Sequence, residues 1–423
     1  MGLAVVLAYI ALYLLSPGDM LPELIPFRPV LVLALTSIPL AGLARLQKPE
    51  LDKLRVQFVL VSLFFGWALC SWFPHGGVGR NLTTLLELSP NIIVYFVGVC
   101  LLGSPVRLSF LRTTLVLVAI LILVNGLWEM PVASASGAST PYVLAARTGI
   151  VHEYDLRIRG LGSLGDPNEF GQFLLMILPL LFVAKRDSGL GIGYVPAILI
   201  TIVFLIGVYY TGSRSAEMGV AALLGLFLIR KFRTAGAVLC TVVGGGFLLL
   251  INAFRTRTIS MTGGMDRLAI WSDGMAYFKG SPLWGIGYEE FPHLRHMTAH
   301  NSYLLCAAEL GIVGFFLWMS IIVVTLIQLG RVPDVVGKSN PVLARWAVAV
   351  RLSLAVYLFT SFFLSRTYQL PLYLLFGVSG SIIAAAGGDE AIPLWRTGWP
   401  LWSMGFCVGV LTLIYVMLRL RMA

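Results

Sequence analysis

The sequence predicts an all-α protein that crosses a membrane about 12 or 13 times. Of its 423 residues, 58% are hydrophobic and only 12% are charged, whereas soluble domains carry about 25% charged residues. Apolar runs of membrane-spanning length recur along the whole chain. The basic residues lie between these runs, so the net charge of +10 indicates membrane orientation and anionic headgroups rather than nucleic-acid binding.

The apolar runs define the spans in order, allowing for shorter spans with charged flanks. Residues 1–15 lack the charged region and the cleavage site of a signal peptide, so we expect them to remain as a first span. The predicted spans are 2–15, 28–44, 56–73, 91–103, 110–129, 170–184, 193–210, 216–230, 234–252, 302–329, 343–364, 370–387 and 400–418.

Lysines and arginines in the connections predict the orientation. Alternation of the spans puts five basic connections on one face, which the positive-inside rule makes cytoplasmic. They contain Arg45, Lys48, Lys53 and Arg55; Arg107 and Arg112; Lys185 and Arg186; Arg230, Lys231 and Arg233; and Arg331, Lys338 and Arg345. With 13 spans, the C-terminus with Arg419 and Arg421 falls on the other face, against the rule.

This topology divides the chain into five segments. Two of them are outer loops, 131–169 and 253–301, and long loops in compact proteins are usually functional or disordered. The second loop is rich in aromatic residues and glycine, which favours an ordered structure. The remaining segments are membrane helices, at 1–130, 170–252 (with a Gly-Ser-Arg-Ser turn) and 302–423.

The outer loops hold many arginines but only one lysine, Lys279. Arginine binds phosphate and carboxylate groups through two parallel hydrogen bonds, so this bias predicts an anionic ligand on the outer face. The alternative is ion pairing with acidic residues of the same loops. The arginines are Arg147, Arg157, Arg159, Arg214, Arg255, Arg257, Arg267 and Arg295, and the acids are Asp155, Asp166, Asp266, Asp273, Glu289 and Glu290.

Arg214 lies at a junction between two spans. Thr211, Ser213 or Ser215 can cap the following helix, and a helix N-terminus beside an arginine is suited to bind phosphate. The alternative is a tight turn in which Arg214 pairs with Glu217.

Arg267 belongs to a predicted amphipathic helix that ends in a glycine-rich turn at 280–287. The glycines do not form a GxGxxG unit and no strand precedes them, which argues against dinucleotide binding.

His300 lies just before a span, where an imidazole can hold a hydroxyl group and take its proton. A helix-capping role is the alternative. His293 and His296 raise a metal option, but a third ligand, Asp273 or Glu289, would have to be recruited.

Asp166-Pro167-Asn168 precedes another span. Asp166 and Asn168 can cap that helix, Pro167 suits its first turn, and Arg159 can reach the same outer vestibule.

These residues together resemble the bacterial O-antigen ligase and polymerase superfamily. The ligase signature is His, then Asn, Ser or Gln, nine residues, Gly, two residues, and Gly, Thr or Tyr. His300, Asn301, Gly311 and Gly314 fit it without a gap. The turn around Arg214 and the 267–287 stretch are also similar, so the resemblance covers roughly 155–320.

The resemblance implies a fold like that of lipid-carrier-dependent membrane glycosyltransferases, in the bacterial inner membrane. Such enzymes move a glycan from undecaprenyl diphosphate to an acceptor hydroxyl at the periplasmic face, without cofactor or metal. Arg214 and Arg267 would hold the diphosphate and His300 would engage the acceptor. The expected partners are the lipid-linked donor, a lipid A–core acceptor and membrane lipids, with no nucleic acid. Further substrate-binding residues would be Arg159, Asp166, Asn168, Ser213, Asn301 and Tyr303.

The choice between ligase and polymerase depends on a second motif. Some polymerases carry Arg, ten residues and Gly in two outer loops, whereas here Phe170 follows Arg159 and Phe278 follows Arg267 at that spacing. This difference favours a ligase, although Asp166-Pro167-Asn168 is also typical of polymerases. A protein O-oligosaccharyltransferase is a third option. A transporter of lipid-linked anions should show ionisable residues in mid-span or broken helices in corresponding halves.

Overall fold

The computed structural model describes residues 2–75, 80–147, 154–183, 193–229, 232, 261–395 and 397–422. This part of the chain is almost entirely helical, which confirms the predicted fold class. Its helices are α1 (Gly2–Leu15), α2 (Pro29–Leu46), α3 (Arg55–Cys70), α4 (Arg80–Leu101), α5 (Pro105–Ser136), α6 (Pro167–Leu181), α7 (Tyr194–Thr211), α8 (214–229), α9 (Met261–Gly280), α10 (Glu290–Arg295), α11 (Ser302–Val336), α12 (Pro341–Ser361), α13 (Leu370–Ala385), α14 (Gly388–Ala391) and α15 (Trp399–Met422).

The membrane prediction is confirmed by length and composition. Within the described ranges, eight helices are long and apolar enough to cross a membrane, namely α2, α3, α4, α5, α7, α11, α12 and α15. The apolar helices α1 and α13 are shorter, and α6 has 15 residues. The predicted span 234–252 and the basic pairs at 185–186 and 230–231 lie outside the described residues.

The membrane helices run between two faces. On the first, Asp389 Oδ2 accepts hydrogen bonds from the backbone N–H groups of Arg55 and Val56, at 2.8 and 2.9 Å. Lys53 also pairs there with Glu390 at 2.7 Å. Because the connections rich in Lys and Arg gather here, we call it the basic face. The opposite side, which carries residues 137–147 and 154–166 and helices α9 and α10, is the loop face.

The C-terminal helix ends on the loop face. Ile414 and Leu418 of α15 pack against Trp271 and Met275 of α9, and Lys279 Nζ lies 4.8 Å from the centre of the Tyr415 ring. The end of α15 that carries Arg419 is therefore on the face that the 13-span topology requires. Burial of these apolar side chains against α9 stabilises this arrangement, and it outweighs the positive-inside rule, which is only a statistical tendency.

Two helices approach each other closely at glycines. A Cβ atom on Gly98 of α4 would lie 3.2 Å from the Cα atom of Gly377 in α13. Small residues at such a crossing let the two backbones pack directly, as is typical of membrane helices. The α4–α13 contact thus forms part of the central core.

The prediction that Arg107 and Arg112 lie in a connection is wrong. Helix α5 begins at Pro105, and Ser104 caps it by accepting a hydrogen bond from the Arg107 N–H at 3.4 Å. A proline at the first helical position suits this start. The Arg112 guanidinium donates to the Val183 carbonyl at 3.4 Å, so both arginines still belong to the basic face.

The first outer loop also differs from its predicted bounds. Helix α5 continues to Ser136, so the connection is shorter than 131–169. It contains an antiparallel hairpin, β1 (Val143–Arg147) and β2 (Tyr154–Ile158), in which Val143 pairs with Ile158. Ile158 is buried against Gly126 of α5, where a Cβ atom would lie 2.6 Å from the isoleucine side chain. Packing on α5 therefore stabilises a hairpin that would be marginal alone.

Candidate active site

Helix α11 is broken one-third of the way along its length. Gly311 has φ 63° and ψ −168°, a backbone conformation that is essentially restricted to glycine. The break frees N–H and C=O groups in the middle of the protein, and buried backbone groups need partners.

The segment 282–287, between α9 and α10, supplies these partners. Three backbone hydrogen bonds join it to the broken turn: Ile286 N–H to Ala308 O at 2.9 Å, Gly287 N–H to Glu309 O at 3.0 Å, and Ile312 N–H to Pro282 O at 2.8 Å. Trp67 Nε1–H donates to Leu310 O at 2.9 Å. The break at Gly311, a residue of the ligase signature, thus allows segment 282–287 to pack against α11.

A second link joins α9 to the turn that carries His300. Trp271 Nε1–H donates to the carbonyl of Ala299 at 3.0 Å. Arg267 lies four residues before Trp271, and residues at this spacing share one face of a helix. The side chain of Arg267 is exposed and is held on the face of α9 that turns towards His300.

His300 occupies a strained position at the start of α11. Its φ is 48°, a left-handed conformation that is uncommon for residues other than glycine. Asn301 follows as the helix cap, and its Oδ1 accepts hydrogen bonds from the N–H groups of Tyr303 and Leu304, both at 3.0 Å. The cap holds the backbone beside the half-buried imidazole.

Arg214 begins helix α8 on the loop face. The predicted cap is Ser213, whose Oγ accepts a hydrogen bond from the N–H of Ala216 at 3.2 Å. This turn lies close to α6, because a Cβ atom on Gly171 would lie 2.8 Å from the Cβ atom of Ala216. Arg214 is exposed and lies near the start of α6.

The charges of these residues act on one another. Although the Arg267 side chain reaches solvent, desolvation by the protein around it lowers its pKa, the positive charge of Arg214 lowers it further, and Asp166 raises it. Partial burial also lowers the pKa of His300, with Arg267 acting in the same direction and Asp166 opposing it. Arg267 therefore interacts electrostatically with Arg214, Asp166 and His300, three groups that are distant from it in the sequence.

Other outer arginines have protein partners. Arg157 forms an ion pair with Asp155 at 2.6 Å, and Arg295 forms one with Asp273 at 2.5 Å. Arg159 donates to the carbonyl of Thr140 at 3.1 Å. The ion-pairing alternative therefore holds for Arg157 and Arg295. The prediction of an anionic ligand is carried by Arg214 and Arg267. Arg255 and Arg257 lie outside the described residues.

The predicted substrate-binding residues are distributed around this cluster, and their contacts with substrate stay predictions. Asp166 caps α6 by accepting from the Asn168 N–H at 2.7 Å. The Tyr303 hydroxyl donates to the Leu358 carbonyl at 3.0 Å. Asn301 is fully buried, and its Nδ2 has no hydrogen-bond partner within the described ranges.

Arg366 is a buried charged residue beside the candidate site that the sequence interpretation missed. It lies between α12 and α13 and is only 1% exposed, with its guanidinium 2.6 Å from Glu169 Oε1. An arginine in a short connection on the loop face breaks the orientation rule. The same rule that singled out Arg214 could therefore have found it.

The metal option at His293 and His296 requires a third ligand. No group of three His, Cys, Asp or Glu side chains comes together in the part of the chain that the structure describes. Asp273, a possible third ligand for His293 and His296, is held by Arg295 instead.

The fold and the site together define a polytopic α-helical membrane protein with a cationic cluster on one face. Residues 199–319 match the family model described as O-antigen ligase, which confirms the resemblance to that family. The matched region includes Arg214, Arg267 and His300 and extends beyond Gly314. A comparison with curated proteins finds no match.

Proposed function

We propose that the protein is an O-antigen ligase. It transfers a polysaccharide from undecaprenyl diphosphate to a sugar hydroxyl of lipid A–core, at the periplasmic face of the inner membrane and without a metal. The observation that carries this proposal is that Arg267 is close enough to interact electrostatically with both Arg214 and His300, although the three residues lie on three different elements.

The two arginines account for the donor side of the reaction. When the bond between the anomeric carbon and the diphosphate oxygen breaks, negative charge grows on the diphosphate. Two fixed guanidinium groups stabilise that charge most strongly at the transition state. The positive charge of Arg214 lowers the pKa of Arg267, and an anion bound between two like charges would relieve this repulsion.

His300 accounts for the acceptor side. The acceptor oxygen forms the new bond to the anomeric carbon, its proton passes to the imidazole, and the diphosphate leaves with the electron pair of the broken bond. This role needs a neutral imidazole. Partial burial and the charge of Arg267 lower the pKa of His300, which favours the neutral form at physiological pH.

The orientation rests on the distribution of basic residues. The basic face carries Arg45, Lys48, Lys53 and Arg55 in one connection, and such connections usually stay in the cytoplasm. The loop face would then be periplasmic. Lipid-linked donors could reach the cluster there from the outer leaflet.

The main alternative is a polymerase, which would use the same donor site with a second lipid-linked glycan as acceptor. A transporter of the lipid-linked anion is an alternative from another class, and the broken helix α11 is a feature of transporters. Here, however, segment 282–287 and Trp67 take the freed backbone groups, which supports a structural role for the break.

Purified protein in liposomes with the lipid-linked donor separates these functions. A new glycan bond to lipid A–core supports the ligase. A bond formed only to a second donor molecule supports the polymerase. Vectorial movement without any new bond would contradict both. His300→Ala, reconstituted in equal amount, serves as the matched control for background transfer.

A further inference from the structure

The buried guanidinium of Arg366 holds the beginning of α6. Besides the 2.6 Å ion pair with Glu169, its Nε–H donates to Gln172 Oε1 at 3.2 Å and its Nη2 to the carbonyl of Ser163 at 3.1 Å. All three partners lie within ten residues of one another. One side chain from the α12–α13 connection therefore fixes the segment that contains the Asp166 cap.

The backbone around Arg366 holds the beginning of α11. The Arg366 N–H donates to Ser302 Oγ at 2.7 Å, and this hydroxyl donates to the Leu364 carbonyl at 2.6 Å. Thr367 Oγ1–H donates to the Ser302 carbonyl at 2.7 Å. Ser302 is two residues after His300. The backbone two residues after His300 is thus held by the same short connection.

We propose that Arg366 is a positioning residue that joins the Asp166 end of α6 to the His300 end of α11. It sets the distance between the Asp166 carboxylate and the imidazole without touching substrate, because it is only 1% exposed. The effect on transfer rests on the function proposed above, but the effect on geometry does not.

The chemistry of the partners explains why arginine is needed. A guanidinium presents donors in a rigid plane and can serve Glu169, Gln172 and Ser163 at once. A lysine ammonium is a compact charge on a flexible stem. Removing one member of a buried ion pair leaves the other charge uncompensated. Loss of Arg366 would therefore displace the first turn of α6, where Glu169 lies three residues after Asp166.

The donor-binding arginines lie outside this network. Arg214 is on α8 and Arg267 on α9, whereas the Arg366 side chain binds Glu169, Gln172 and the Ser163 carbonyl, all at or before the start of α6. The proposal therefore predicts a selective defect. The rate of transfer falls while donor binding persists.

The first measurement follows the imidazole itself. Full-length protein in nanodiscs, labelled at histidine, is titrated by NMR, and the His300 signal is assigned from its loss in His300→Ala. We expect the His300 titration midpoint to move in Arg366→Lys, because Asp166 acts on this group. Arg112→Lys is the matched control, since Arg112 is also 1% exposed but belongs to the basic face, and it should leave the midpoint unchanged.

The second measurement is transfer by the folded protein. We expect Arg366→Lys to lower kcat about 10- to 100-fold, the effect of a small misplacement of reacting groups, while the donor KM stays within about threefold of the wild type. If Arg366→Lys does not fold, the double variant Glu169→Gln with Arg366→Gln removes both charges and keeps the test available.

Three outcomes decide the matter. A displaced midpoint with a reduced kcat supports the positioning role. A folded variant with wild-type kcat, or with an unmoved midpoint, overturns it. If the wild type itself transfers no glycan, the proposed function fails, and the midpoint alone then decides whether Arg366 positions His300.

Discussion

Replacing Gly311 with alanine should detach the loop that follows α9. The backbone at Gly311 lies in a region that costs other residues about 1–3 kcal/mol. In addition, the new Cβ atom would lie only 2.8 Å from the Gly285 nitrogen and even closer to the Leu283 carbonyl. These are backbone atoms, so they cannot turn away as a side chain would.

The clash should break the hydrogen bonds between segment 282–287 and α11. Each of the three is worth about 1 kcal/mol, so together with the backbone cost the total destabilisation is about 4–6 kcal/mol. Trp284 stacks on Trp67 with ring centres 4.4 Å apart, and this contact should be lost together with the loop. Tryptophan fluorescence during thermal unfolding in detergent therefore reports both effects.

Gly66→Ala is the matched control. Gly66 lies inside α3, and a Cβ atom there meets nothing within 4 Å. Alanine should leave the unfolding temperature unchanged or raise it slightly, since glycine costs about 0.5–1 kcal/mol inside a helix. The account of the broken helix is refuted if Gly311→Ala unfolds at the wild-type temperature with unaltered fluorescence.

Four further predictions concern the site. Arg267→Lys should lower kcat about 100-fold or more, because lysine keeps the positive charge but lacks the paired hydrogen-bond donors of arginine. Full activity of this variant in the reconstituted assay would show that only the positive charge is needed at this position. Transfer should fail only below the ordinary imidazole pKa of about 6.5, since burial and Arg267 lower the pKa of His300. Arg267→Ala removes a positive neighbour, so the His300 midpoint in an NMR titration should rise, and a fall would contradict the electrostatic account. EDTA should leave kcat unchanged, and inactivation that Mg²⁺ or Zn²⁺ reverses would revive the metal option at His293 and His296.

The membrane helices could be predicted because hydropathy is a local property. Helix α11 begins at Ser302 as expected, since Asn301 caps it and the apolar run follows at once. The start of α5 was misplaced because hydropathy treats Arg107 as a loop residue. In the structure, this side chain donates to the Leu101 carbonyl at 3.1 Å and remains on the helix.

The sequence predicts those parts of the candidate site whose hydrogen bonds join residues that are close in the chain. The caps formed by Asp166 and Ser213 involve groups two or three residues away. The ion pair between Glu169 and Arg366 joins residues far apart in the chain, and no spacing rule connects them. The hairpin β1–β2 was missed for a similar reason, because its stability depends on packing against α5.

The most direct test of the cationic cluster is donor binding without catalysis. Undecaprenyl diphosphate is titrated into purified wild type, Arg214→Ala, Arg267→Ala and His300→Ala in nanodiscs. If the two arginines hold the diphosphate, both arginine variants should lose affinity at least tenfold, about 1.4 kcal/mol, while His300→Ala binds normally yet transfers nothing. Wild-type affinity in both arginine variants would contradict the claim that these side chains share one bound carrier.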